Sequence, residues 1–461
     1  MLQTEYEQNK PPNIIYILAD DLGYGDLSCY GQEKFGTPHI DDLARRGIRF
    51  THHYAGSTVC APSRSVLMTG LHTGHTPIRG NREVLPEGQA PLPADARTLA
   101  ECLKEAGYVT GAFGKWGLGF PGSEGDPLKQ GFDRFYGYNC QRVAHHAYPA
   151  YLWDGDRKVN LPGNDWIRTS VYAPDLIQQE AMEFIRHNKD TTFFLYLPVI
   201  LPHAELIVPW DSLNLDFRGA FPEEPFAGGP GAAYGPGMVT GQYCSQDQPR
   251  ATFAGMVQRL DVYVGQISAL LRDLGIEEET LVMFSSDNGP HREGGADPDF
   301  FDSSGGLRGI KRDLYEGGLR VPLVVSWPGT VEGGRVSGHI SAFWDLLPTL
   351  GEVAGFDAGE TDGLSFLPEL LGKEQSEPDF LYWEFHEQGG KQAILQWPWK
   401  AVRLNVGEHA DAPVELYNLS DDPGERTNLA DAHPTTAEDM VRLLDQAHRP
   451  SAEFRFGRSV E

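Results

Sequence analysis

The sequence predicts an α/β protein: a large, mostly parallel or mixed sheet flanked by helices, then a small C-terminal antiparallel sheet with one helix. Three observations carry this. Four nearly continuous apolar, β-rich runs are separated by helical patterns, as in a parallel sheet covered on both faces. Each run ends at a polar residue fit for chemistry. After about residue 375 the texture changes to short strands with tight turns. The 461 residues therefore divide into residues 1–374, a large α/β unit, and residues 375–461, an α+β subdomain.

The first run, Asn13 to Ala19, leads into Asp20-Asp21. Tyr108 to Phe113 stops just before Lys115, Thr192 to Val199 just before His203, and Leu281 to Ser285 leads into Asp287-Asn288. Ligands of parallel sheets sit at the carboxyl ends of the strands, so four such residues at four strand ends predict one shared site. Helices are expected between the strands. Pro38 to Arg46 follows Thr37 as its N-cap. Ser63 to Leu71 can be helical behind Cys60, and Arg97 to Ala106 stops at Gly107. Thr252 to Leu274 carries a core-facing stripe that includes Phe253, Met256, Leu260, Val264 and Ile267. Residues 218–241, rich in Gly and Pro, read as a long surface loop or lid. In the C-terminal part, Phe380 to Phe385, Gln392 to Gln396, Trp399 to Leu404 and Val414 to Leu419 read as strands, with a helix over about Thr435 to Ala447.

A hydrophobic content of 40% supports a sizeable core. The net charge of −27 argues against a nucleic-acid or anionic-membrane partner, since both need basic surfaces. No stretch is long and apolar enough to span a membrane. Five cysteines, at 29, 60, 102, 140 and 244, form no C-x-x-C pair, which argues against a disulfide framework or a thiolate zinc site. Met1 to Lys10 is polar and acidic, unlike a signal peptide. A cytoplasmic location is expected for the chain as written, and a periplasmic or secreted one if a leader has been removed.

Asp20, Asp21, Asp287 and Asn288 offer oxygen ligands, which suit Ca²⁺ or Mg²⁺ better than zinc. Three carboxylates converging without a cation would repel one another. Asp26, in the Asp-Leu-Gly-Tyr-Gly-Asp stretch, reads as structural. Cys60 opens the run Cys60-Ala61-Pro62-Ser63-Arg64, and a helix start behind it offers free N–H groups to an anion. Taken alone, Cys60 reads as a small buried hydrophobe, the usual fate of a lone Cys, with a thiolate nucleophile as the second alternative.

Together, Asp20-Asp21, the C-x-P-x-R run at 60–64 and Ser286-Asp287-Asn288-Gly289 resemble the formylglycine-dependent (type I) sulfatase family. That family belongs to the alkaline-phosphatase-like superfamily, and the resemblance runs from about Asn13 to about Leu429. It implies that a formylglycine-generating enzyme, reading Pro62 and Arg64, oxidises Cys60 to formylglycine. One hydroxyl of the hydrated aldehyde then attacks sulfur. Deprotonation of the other releases sulfate and restores the aldehyde. The resemblance also implies one divalent cation, Ca²⁺ or alternatively Mg²⁺, on Asp20, Asp21, Asp287, Asn288 and residue 60, with Arg64 held beside them. Lys115, in Gly114-Lys115-Trp116-Gly117, and Lys311, in Arg308-Gly309-Ile310-Lys311, resemble the family's sulfate-binding lysines, whose fixed charge stabilises sulfuryl transfer. His203, in Leu201-Pro202-His203-Ala204, resembles the histidine that assists the leaving oxygen with Lys311.

One position departs from the family pattern. Many sulfatases have His where this chain has Gly117, so the second half-reaction needs another base. His145 is the leading candidate, because imidazole titrates near working pH; substrate contact or simple packing is the alternative. His72 and His75 read as structural. The segment Gly137 to Arg142, with Arg142 foremost, and His291, Arg292 and Glu293 are expected on the pocket wall. The pattern around Gly117 and Arg142 is similar to bacterial carbohydrate sulfatases, so a small sulfated sugar of galactose or N-acetylgalactosamine type is the expected substrate. A phosphodiesterase or phosphonate monoester hydrolase of the same superfamily, or an inactive sugar-binding homologue, are the alternative readings.

Overall fold

Every residue of the strand Asn13–Ala19 is buried, which requires cover on both sheet faces. Its side chains alternate: Ile14, Tyr16 and Leu18 join one apolar cluster, and Ile15, Ile17 and Ala19 the other. A computed structural model supplies these coordinates and describes residues 10–229, 234, 239–409 and 411–456. The polar start, Met1 to Asn9, and residues 230–233 and 235–238 of the expected surface loop lie outside the described residues.

Ten strands form the large sheet. They are β1 (Asn13–Ala19), β2 (Ile48–Tyr54), β3 (Val109–Lys115), β4 (Arg134–Tyr138), β5 (Tyr151–Asp154), β6 (Arg157–Asn160), β7 (Phe193–Pro198), β8 (Thr280–Ser286), β9 (Arg320–Ser326) and β10 (Arg335–Ala342). The spatial order is β10-β2-β9-β8-β1-β7-β3-β4-β5-β6. The run β8-β1-β7-β3-β4 is parallel, while β9 on one side and β5-β6 on the other pair antiparallel. The sheet is therefore mixed, with a parallel centre. The four strands singled out in the sequence are neighbours there, so their carboxyl ends share one edge. The helices Cys60–Thr69, Leu99–Glu105 and Leu346–Ala354 cover one face. Pro38–Arg45, Ala173–Asn188 and Pro249–Leu274 cover the other.

A second, antiparallel sheet contains β11 (Leu381–Phe385), β12 (Lys391–Gln396), β13 (Trp399–Leu404) and β14 (Val414–Asn418). Its alternation splits it cleanly. Leu381, Trp383 and Phe385 join the large core, whereas Tyr382, Ile394, Ala401 and Leu416 pack on Met440 and Leu444 of the Pro434–Ala447 helix. No helix among the described residues is long and apolar enough to cross a membrane.

Some local expectations shift. The strand expected to stop at Phe113 continues through Lys115 itself. The helix expected from Ser63 starts at Cys60. The helix expected from Arg97 starts at Leu99, because Thr98 and Glu101 close a capping box there. Thr37 occupies the N-cap position, but its hydroxyl accepts the Ser28 N–H. The orphan N–H groups of His39 and Ile40 donate instead to the Asp261 carboxylate, at 3.0 and 2.8 Å.

Candidate active site

The parallel centre of the sheet delivers the site. Asp20 and Asp21 follow β1, Lys115 ends β3, His203 follows β7, and Asp287 and Asn288 follow β8. Asp21 turns the chain with φ +63°, a left-handed conformation uncommon for a residue with a side chain. Its carboxylate accepts from Lys311 Nζ and from Asn288 Nδ2, both at 2.7 Å. Its backbone N–H donates to Asp287 Oδ1 at 3.1 Å. Asp20 accepts from Lys115 Nζ at 2.7 Å. Burial would raise the Asp20 carboxyl, but Lys115 leads a set of neighbouring cations that hold it well below the usual carboxylate range. Burial and then Asp20 push Asp287 up to about 7, against the pull of Arg64.

Cys60 begins its helix with the side chain buried against this cluster. Its Sγ lies 3.4 Å from Asp20 Oδ1 and 3.3 Å from Lys115 Nζ. Burial, and then Asp20, raise the thiol well above its ordinary range. This environment favours the neutral thiol over the thiolate. One turn on, the fully buried Arg64 sends Nε and Nη2 to Asp287 Oδ2, at 3.1 and 2.9 Å, and Nη1 to the Lys115 carbonyl. It is not a helix-surface arginine. It ties the Cys60 helix to the ends of β3 and β8.

The residues present fit a hard cation. Asn288 Oδ1 is buried and has no partner among the described residues, an orphaned oxygen beside Asp21. Ligand-capable atoms of Asp20, Asp21, Cys60 and His203 lie within 4.8 Å of one another. Carboxylate and amide oxygens dominate, as Ca²⁺ and Mg²⁺ prefer.

His203 Nδ1 donates to the Ala204 carbonyl, which leaves Nε2 as an acceptor for Lys311 Nζ at 3.2 Å. Burial lowers this imidazole to about 4. His145 stacks on His203, with ring centroids 5.0 Å apart. Its Nδ1 faces the Gly241 carbonyl at 3.2 Å and acts as the donor, so Nε2 is the acceptor nitrogen and has no hydrogen-bond partner among the described residues. Burial holds it, too, well below the usual histidine range. These groups open on a cavity of about 310 Å³, whose wall includes Asn81, Glu83, Gln141, Arg142, Tyr243 and Arg312 besides His145, His203, Glu293 and Lys311.

Of Arg142, His291, Arg292 and Glu293, two line the wall. Arg142 reaches the wall, paired with Glu83 at 2.7 Å. Glu293 accepts from Lys311 at 3.1 Å and pairs with Arg312 at 2.6 Å. Two do not. His291 is buried behind His203 with both ring nitrogens engaged, Nδ1 accepting the Glu293 N–H and Nε2 donating to the Pro202 carbonyl. Arg292 turns out to Asp299 at 2.6 Å and lines a different groove. Three successive side chains thus point three ways, at the entry to the short 3₁₀ turn Glu293–Gly295. Asp26 accepts the Gly23 N–H within the β1 loop, away from the cavity wall. His72 and His75 gather on Asp362, also off the wall. Gln141, from the segment expected on the wall, lines it; Asn81, Tyr243 and Arg312 were not anticipated, and of these Arg312 alone carried a signal, its place beside Lys311.

Residues 12–356 match the family model described as Sulfatase, and residues 309–449 match N-sulphoglucosamine sulphohydrolase, C-terminal. Human arylsulfatase A is 33% identical over 494 aligned residues, covering 96% of this chain and 88% of that protein. The N-acetylgalactosamine-6-O-sulfatase of Bacteroides thetaiotaomicron is 28% identical over 521, covering 95% and 93%. Among solved structures, Ps i-CgsB in complex with k-i-k-neocarrahexaose matches with a TM-score of 0.76 at 28% identity, covering 95% of this chain and 92% of that one.

Proposed function

The chain belongs to the sulfatase family and is a sulfuric ester hydrolase, and from that premise we propose that it removes sulfate from a small sulfated sugar of galactose or N-acetylgalactosamine type. The observation that carries this reading is the cavity. It joins Lys311 and His203 to a wall of carboxamides, a phenol and paired charges, all suited to sugar hydroxyls. At about 310 Å³ it is at the small end of ligand pockets, which favours one sugar unit over a stretch of polymer.

A divalent cation on Asp20, Asp21, Asp287 and Asn288, Ca²⁺ in this reading and Mg²⁺ as the alternative, together with Cys60 oxidised to formylglycine by a generating enzyme, would supply electrostatic activation and the nucleophilic hydroxyl. The chain's own residues do the rest. Arg64 fixes residue 60 against Asp287. Lys115 lies against residue 60 and Lys311 lines the cavity, where fixed positive charge steadies the sulfuryl oxygens. The Lys311–His203 hydrogen bond keeps a proton where the sugar oxygen departs. Gly117 cannot accept the proton of the second step. His145, whose Nε2 has no hydrogen-bond partner among the described residues, takes that role; burial keeps it unprotonated and able to accept, as a weak base.

A panel of monosulfated sugars, aryl sulfates and aryl phosphates tests the reading. Turnover of a monosulfated galactose or N-acetylgalactosamine, at a kcat/KM well above that for aryl phosphate, is expected. Turnover confined to phosphate or phosphonate esters would overturn it. For His145→Ala, a retained first burst of alcohol release with slowed steady turnover is expected; a change in KM alone would make His145 a substrate contact.

A further inference from the structure

Gly117 leaves a gap that another residue fills. A Cβ on Gly117 would lie 3.6 Å from Cγ and Nε2 of Gln141. Gln141 is only 7% exposed, and its Nε2 donates to Asn81 Oδ1 at 2.9 Å. The same oxygen accepts the Ala61 backbone N–H at 3.0 Å. Ala61 follows Cys60 in the first turn of the helix, where N–H groups lack partners within the helix itself. Two donors on one oxygen decide which way the Asn81 amide faces. Oδ1 points at the helix start. Nδ2 therefore points away from it, and no described residue accepts its hydrogens. Asn81 and Gln141 line the same cavity as His203 and Lys311.

We propose that Asn81 is an anion-contacting residue of this site, its Oδ1 pinned to the start of the Cys60 helix and its Nδ2 donating to an oxygen of the sulfuryl group. Gln141 is its positioning residue, because it locks the amide in the orientation that presents Nδ2. The pair brings a neutral donor to the wall where many relatives carry a histidine. The inference rests on the sulfate-ester reading above.

Inorganic sulfate is the probe, titrated by calorimetry into the full chain. Asn81→Asp keeps the acceptor for Ala61 but replaces the amide donor with a second carboxylate oxygen. A hydrogen bond to a charged group corresponds to about 10–100-fold in affinity. Sulfate binding should weaken by at least about 10-fold, on that scale, with thermal stability unchanged. Gln141→Met, which frees the amide without adding charge, should weaken sulfate less than Asn81→Asp does but still measurably. It carries the test alone if the first variant does not fold. Sulfate affinity at the wild-type level in the folded variants would overturn the inference and leave the sulfatase reading standing. A wild-type protein that binds no sulfate, yet turns over phosphate esters, would overturn both.

Discussion

Lys400 couples the small sheet to the catalytic unit, and removing its charge should be costly in a pH-dependent way. Its Nζ, on β13, lies 2.9 Å from Glu316 Oε1 and 3.0 Å from Glu425 Oε1, and all three side chains are fully buried. Glu425 also accepts the Glu316 N–H at 2.6 Å. Lys400→Met leaves two carboxylates facing each other with no ammonium between them. Removing one partner of a buried ion pair costs about 3–5 kcal/mol. Burial already raises Glu425 to about 7 despite Lys400, so proton uptake offers partial relief and the lower end is expected. At about 2.1 cal/mol/K per residue, 461 residues give an unfolding entropy of about 1 kcal/mol/K, and Tm should fall by about 3 °C. The sign with pH follows from the raised pKa. The folded state holds the Glu425 proton more tightly than the unfolded chain, so this stability is present at low pH and lost as pH rises from the ordinary 4.5 through about 7. The variant's deficit should therefore be larger at pH 8 than at pH 6 in calorimetric melts. Glu425→Gln in the same chain should recover part of it. A Tm unchanged at both values, or a deficit that grows on acidification, would refute the reasoning.

Two further outcomes follow from other buried carboxylates. Glu384 accepts from Arg79 and His386 at 2.9 Å, from Tyr382 at 2.8 Å and from His448 at 2.7 Å. Burial would raise it, but His386 and His448 lead the contacts that hold it well below its ordinary 4.5. Its contribution is full above that value and is lost as pH falls below it, so Glu384→Gln should lower Tm at pH 7 by about 3 °C or more, with the difference narrowing only in acid. Asp287→Ala removes the partner of Arg64 and a proposed cation ligand; turnover should vanish, and metal analysis of the purified variant should show reduced divalent-cation content.

Much of the site was legible because strand ends are. A continuous apolar run that stops at Asp20-Asp21 places both acids at the carboxyl edge of a buried strand, and Lys115, His203 and Asp287 obey the same rule. Their convergence needed β8, β1, β7 and β3 to be neighbours, which the parallel-sheet pattern implied. The cavity wall was less legible. Asn81 sits in a turn with no periodicity, and only the tertiary fold brings it to Ala61. His291, Arg292 and Glu293 were read as one group because sequence shows proximity, not direction; in the fold each side chain finds a different partner. The Asp261 cap on the Pro38–Arg45 helix lies 222 residues from His39, beyond any local signal.

The account turns on the chemical state of residue 60. Peptide mass spectrometry of active protein should find an aldehyde in place of the Cys60 thiol, in a fraction that tracks turnover of the sulfated sugar from one preparation to the next. Full activity from a preparation whose Cys60 is entirely unmodified thiol would contradict it.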